Sequence, residues 1–174
     1  CIRDRLTRDW EIQYALKNKL PIEIDKSPYS IDENIWGRSI ECGILEDPYA
    51  EPPKEIYKIT RELEETPDKP EYMEIEYFQG RPIKINNQKL ELTEMIDRLT
   101  SIGGKHGIGR IDHIEDRVIG LKSREIYEAP AATILIEAHK DLEKMVLTTH
   151  ELQFKKLVDD KWTYMTYAGL WLDP

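Results

Sequence analysis

Long apolar runs, a basic surplus and paired cysteines are all missing from this 174-residue chain. No stretch approaches the roughly 18 uncharged apolar residues of a membrane-spanning helix, which excludes that reading. The opening residues, Cys1 to Arg5, hold no apolar signal core and leave secretion unsupported. Two cysteines, Cys1 and Cys42, are too few for a disulfide framework and suit a reducing compartment. Lys and Arg number 25 against 34 Asp and Glu, a net charge of −9 with no basic half. Nucleic acid and anionic membranes are therefore disfavoured as principal partners. Metal-ligand spacing is missing as well: His106, His113, His139 and His150 form no H-x3-H pair, and no C-x2-C occurs. What remains is 40% apolar and 34% charged, wet for a globular chain but able to build a core. The expectation is an acidic, cytoplasmic domain without a metal. Its non-Met start and its aromatic end, Trp162, Tyr164, Tyr167 and Trp171, suggest a piece of something larger.

Periodicity predicts helix over 7–19, with Thr7 as cap, Ile12, Ala15, Leu16 and Leu20 on one face, and Pro21 as the stop. A short alternating stretch follows at 22–26, and Ser27-Pro28 opens a loop. Residues 29–43 read as a turn and a short helix. Five prolines between 47 and 70 predict an irregular surface segment, with at most a short element near Ile56–Ile59. Met73, Ile75 and Tyr77 alternate with acids as a half-buried strand. Gln79–Pro82 turns the chain into a return strand carrying Ile83 and Ile85, and Asn86-Asn87 makes a second turn. Thr93 is expected to cap a helix with Met95, Ile96, Leu99 and Ile102 on one stripe, and Gly103 to stop it. Residues 108–119 suggest two short strands around His113. A further helix starts with Pro130 at its first position and runs through Ile134, Leu135, Ala138, Leu142 and Met145. A last helical piece is expected at about 150–158. Strands and helices mix without a βαβ rhythm, so the expected class is α+β with a mostly antiparallel sheet and three to four helices.

The glycine-rich run 103–110 is not a P-loop, because its Lys precedes the closing glycines and no Ser or Thr follows. Its core, Gly104-Lys105-His106-Gly107, has the G-x-x-G form of RNA-clamping loops, which the even negative charge opposes. The remaining readings are a helix cap or an anion- or domain-facing loop. The charged runs 111–117 and 122–128 read singly as a solvated face. Segment 29–43 holds two serines and a Trp but no His-paired nucleophile.

Taken together and in order, three segments carry more. Residues 28–43 (Pro-Tyr-Ser-Ile-Asp-Glu-Asn-Ile-Trp-Gly-Arg-Ser-Ile-Glu-Cys-Gly), 104–112 (Gly-Lys-His-Gly-Ile-Gly-Arg-Ile-Asp) and 122–131 (Lys-Ser-Arg-Glu-Ile-Tyr-Glu-Ala-Pro-Ala) resemble the C-terminal side of the argininosuccinate synthase family. Tyr167-Ala168-Gly169-Leu170-Trp171 extends the resemblance over essentially the whole chain. It implies that 1–174 is the citrulline-binding synthetase domain, which also supports a homotetramer. The family's N-terminal domain, with its Ser-Gly-Gly-x-Asp-x-Ser ATP-pyrophosphatase loop, and its C-terminal extension lie outside the sequence. The implied activity is a carbon–nitrogen ligase of arginine biosynthesis. Citrulline's ureido oxygen attacks the α-phosphate of ATP, pyrophosphate leaves, and aspartate's amine displaces AMP to give argininosuccinate. ATP and its Mg2+ would be held mainly by the N-terminal domain. By resemblance, the citrulline contacts are Ser30, Ser39, Glu115 and Tyr127, and no catalytic residue is assigned here. A carboxylate suits citrulline's ammonium, and hydroxyls suit its carboxylate or ureido group. The alternative is a free-standing small-molecule-binding, regulatory or oligomerisation module on the same fold.

Overall fold

Alternation and polar turns divide the chain into two antiparallel sheets, seen here in a computed structural model describing residues 8–21, 27–170 and 172. The elements in order are α1 (Arg8–Lys17), β1 (Ser30–Asn34), β2 (Gly37–Glu41), β3 (Ile75–Phe78), β4 (Arg81–Ile85), β5 (Gln88–Lys89), α2 (Leu92–Lys105), β6 (Arg110–Asp116), β7 (Lys122–Glu128), α3 (Pro130–Val146) and α4 (Thr149–Tyr167). Single 3-10 turns lie at Gly43–Glu46, Lys54–Ile56 and Leu63–Glu65. One sheet has the order β1-β2-β7-β6 and the other β3-β4-β5, every pairing antiparallel. The class is α+β, as the pattern implied. No helix among the described residues is long and apolar enough to cross a membrane.

Each sheet has its own core. Ile85 of β4 packs with Met95, Ile96 and Leu99 of α2 and with Ala131 and Leu135 of α3. These are the positions that the 3.6-residue period of the two helices sets on one stripe. Under the larger sheet lie Ile40, Leu45, Ile56 and Ile126, flanked by Tyr29 and Tyr57. In α1 Ala15 is buried, whereas Leu16 and Leu20 of the expected face are exposed. Thr7, residues 22–26 and Trp171, all named above, lie outside the described residues.

Several expectations need correction. Segment 29–43 is a hairpin, β1 and β2, rather than a turn and helix. Residues 110–116 form one strand through His113, because β7 offers seven partners in unbroken register. Glu91, not Thr93, caps α2, and Glu94 reaches back to the Glu91 N–H at 3.1 Å in a capping box. The same helix passes Gly103 and ends at Lys105. Its two glycines serve close approach instead of termination. A Cβ on Gly103 would lie 2.8 Å from the Pro130 side chain, and one on Gly104 2.3 Å from the Ile59 carbonyl oxygen. Finally, α4 runs to Tyr167 and absorbs Trp162 and Tyr164. Thr148 and Glu151 close its N-terminus in a second capping box, and no Pro or Gly interrupts it before Gly169.

The back of the larger sheet is organised by one carboxylate. Glu128, the last residue of β7, is fully buried. Its Oε1 accepts from the Ile59 N–H (3.0 Å), the Thr60 N–H (2.8 Å) and the Thr60 hydroxyl (2.7 Å). Its Oε2 accepts from the Lys58 N–H (2.9 Å) and Arg38 Nη1 (2.8 Å). Burial alone would raise its pKa, but the Lys58, Thr60 and Arg38 donors outweigh that and hold it below the ordinary 4.5. Its stabilising effect is therefore complete above pH 4.5 and fades as pH falls through the lower, folded value. Glu128→Gln should cost about 3 kcal/mol in urea denaturation at neutral pH, since it leaves buried Arg38 without its charge partner. The gap between variant and parent should narrow in acid. A gap that stayed constant into acid would show that these donors do not favour the ionised form.

Candidate functional site

Antiparallel register fixes which side chains share the front of the larger sheet. Ser39 stands opposite Asp32 on β1 and opposite Tyr127 on β7. Tyr127 stands opposite Ile111 on β6, and Glu115 lies four residues further along that strand. Opposed residues and those two apart point the same way, so Ser30, Ser39, Tyr127 and Glu115 share one face. Each comes from a different strand, in the sheet's own order β1-β2-β7-β6. The straight row across the sheet is Asp32, Ser39, Tyr127 and Ile111; Ser30 lies two residues and Glu115 four residues off that row on the same side, so the four form an arc about 14 Å wide across the strands. Asp116, the neighbour of Glu115, faces the back and pairs with Lys122 at 2.6 Å.

The Glu115 end of this arc is rich in carboxylate. Glu115 and Glu125 are buried, and the Tyr127 hydroxyl contacts both, with Oε2 of Glu125 at 2.7 Å. One phenolic proton serves two carboxylates, so this corner has fewer hydrogens than acceptors. Tyr167, at the end of α4, donates to Oε2 of Glu115 at 2.6 Å. Burial would raise the Glu115 pKa, but the Tyr127 and Tyr167 hydroxyls, with the charges of His113 and Arg117, bring it below the usual value. Burial and the same carboxylates push the Tyr127 phenol up, and the bond to Glu115 pushes Tyr167 up to about 12. Glu41 is raised by burial and by the charge of Glu125. Arg117 approaches Glu41 at 3.3 Å and Glu125 at 3.6 Å. Three glutamates around one arginine leave a net negative corner.

A groove of about 520 Å³ opens beside it, between Ile111, His113, Glu115 and Tyr127 on the sheet and Tyr164 and Tyr167 on α4, with Asp116 and Asp160 also touching it. Its acidic floor and aromatic wall suit a small molecule with an ammonium group. The serines lie toward the other edge and offer hydroxyls that donate or accept. Glu41, Glu125 and Arg117 were not singled out from the sequence, and Tyr167 was read only as one of the aromatics at the chain's end and as part of the resemblance. The two-residue spacing of Ser123, Glu125 and Tyr127 was the available signal for Glu125. The Gly104–Gly107 turn does not line this face. It closes α2, where Lys105 Nζ and His106 Nε2 meet Glu71 at 2.9 and 3.2 Å and hold its pKa low.

A family model described as "Arginosuccinate synthase C-terminal domain" matches residues 29–174. The chain belongs to this family. It is 57% identical to the argininosuccinate synthase of Pyrococcus furiosus over 169 residues, which is 97% of this chain and 41% of that protein. Against the Archaeoglobus fulgidus argininosuccinate synthase it is 54% identical, covering 97% of this chain and 44% of the relative. The Rubrobacter xylanophilus argininosuccinate synthase is 51% identical, with 96% and 42% covered. The chain therefore spans about two fifths of the length of these curated relatives. All three segments behind the sequence resemblance contribute to the larger sheet or its edges: β1 and β2, the turn into β6, and β7.

Proposed function

We propose that this chain is the synthetase-domain portion of an argininosuccinate synthase and supplies the citrulline-binding side of its active site. The observation that carries the reading is that Ser30, Ser39, Tyr127 and Glu115, one from each strand, share the sheet's front face. Glu115, ionised and hydrogen-bonded at both oxygens, takes citrulline's α-ammonium. Tyr127 orients that carboxylate and narrows the groove. Ser39 and Ser30, toward the opposite edge, hydrogen-bond the substrate's other polar groups. An amino acid laid obliquely across the strands runs from Glu115 past Tyr127 toward the serines.

The chain's contribution to the whole enzyme's chemistry is positioning and charge complementarity. A triphosphate does not suit this face: its floor is net negative, and Arg117 is engaged by Glu41 and Glu125. Lys105 is likewise engaged by Glu71. We therefore assign ATP, Mg2+ and aspartate to protein beyond these 174 residues. The homotetramer implied by the family is favoured by the exposed Phe154, Leu157, Val158 and Trp162 on α4. A cytoplasmic location accords with a chain that holds only two cysteines. A free-standing binding module on the same fold would bind citrulline tightly without further protein.

The test is a pair of substitutions in the full-length protein. Glu115→Gln keeps shape and removes charge, whereas Asp116→Asn removes a neighbouring carboxylate that touches the groove but pairs with Lys122 on the other side of the strand. Glu115→Gln should reduce kcat/KM for citrulline by about 30-fold or more, as expected for breaking a desolvated charge pair. Asp116→Asn should stay within about threefold of the parent. Near-parental citrulline kinetics in both variants would remove Glu115 from the site.

A further inference from the structure

Tyr167 lies outside the four motif residues, yet it links α4 to the substrate face. It is the last residue of α4, and Gly169, at φ +69°, turns the chain away just beyond it. None of the described α4 side chains is buried. The bond from the Tyr167 hydroxyl to Oε2 of Glu115, at 2.6 Å, is therefore a specific polar tie between a loosely packed helix and the sheet.

We propose that Tyr167 is a positioning residue for the amino-acid substrate, fixing the plane of the Glu115 carboxylate so that both oxygens face the incoming ammonium. The inference rests on the citrulline reading above and extends it to a residue on another element. A carboxylate tethered at one oxygen can still swing about that bond. Oε2 of Glu115 accepts from Tyr167 on α4, while Oε1 shares the single Tyr127 proton with Glu125. Each carboxylate oxygen has two lone-pair directions, so one phenol apiece leaves one free on each. The donors are neutral and do not cancel the charge that attracts the ammonium. A lysine or arginine in place of Tyr167 would hold the carboxylate equally well but compete with the substrate. With its phenol at about 12, Tyr167 stays a protonated donor across the working pH range.

Tyr167→Phe, made in the full-length protein beside Glu115→Gln, separates this role from others. Phenylalanine keeps the ring and removes only the hydroxyl. Losing one hydrogen bond to a charged group should raise KM for citrulline by about 3- to 20-fold while kcat and KM for ATP stay within about twofold. The bond also lowers the Glu115 pKa, so its loss should move the acid limb of kcat/KM for citrulline to higher pH. A raised citrulline KM together with that movement supports the proposal. A raised KM with an unmoved acid limb overturns it, because Tyr167 then acts only through helix placement. Parental kinetics in Tyr167→Phe with impaired Glu115→Gln overturns it and spares the citrulline reading. Parental kinetics in both variants overturns that reading as well.

Discussion

A single buried carboxylate sets the geometry on which the rest of the structure depends. Glu128 carries a charge into a site where an isolated ion would be costly, and five donors compensate it. Three of those donors are consecutive backbone N–H groups of the proline-rich segment, at Lys58, Ile59 and Thr60. A stretch with little regular structure is thereby held against the sheet. Arg38 extends the junction, reaching Glu33 on β1 at 2.6 Å and the Ile56 carbonyl at 3.0 Å. Arg110 completes it, donating to the Thr60 hydroxyl at 2.7 Å and lying 3.7 Å over the Tyr57 ring. All four strands of the larger sheet and the segment behind it meet around this node.

The two faces of that sheet treat charge in opposite ways. On the back, Glu128 meets Arg38, and Asp112 meets Arg124 at 2.7 Å. Arg124 also caps the carbonyls of Asp47 and Ala50. On that side each of these charges has its counterion. On the front, Glu41, Glu115 and Glu125 outnumber Arg117, and one Tyr127 proton is shared between two acids. An acceptor-rich corner on a well-anchored sheet is prepared for a donor-rich guest. The order of events is structural: the back fixes strand register, register fixes which side chains face forward, and those side chains set the ligand chemistry.

Much of the architecture was legible from local chemistry. Pro130 at the first position of α3 and the alternation of Ile75 and Tyr77 each encode their element within a few residues. The β1–β2 hairpin was not, because β1 is exposed along most of its length and shows no alternation. Helix α4 was expected only over about 150–158, but its exposed surface tolerates the charged run Asp159-Asp160-Lys161 and it continues to Tyr167. The glycines of α2 looked like a stop, and only tertiary contact with Pro130 and Ile59 reveals their purpose. For the site, spacing alone gave no reason to prefer Glu115 to Asp116; the family resemblance did so, and strand parity now separates them physically. Tyr167 lies 52 residues from Glu115, a distance over which no periodicity carries information.

The central claim is that the front face of the larger sheet receives citrulline with its ammonium on Glu115. A structure of the full-length protein with citrulline bound tests it most directly. The account predicts the ammonium nitrogen within about 3 Å of the Glu115 carboxylate, with the rest of the molecule running across Tyr127 toward Ser39 and Ser30. Citrulline bound away from this face, or lying on it with its carboxylate rather than its ammonium toward Glu115, would contradict the account.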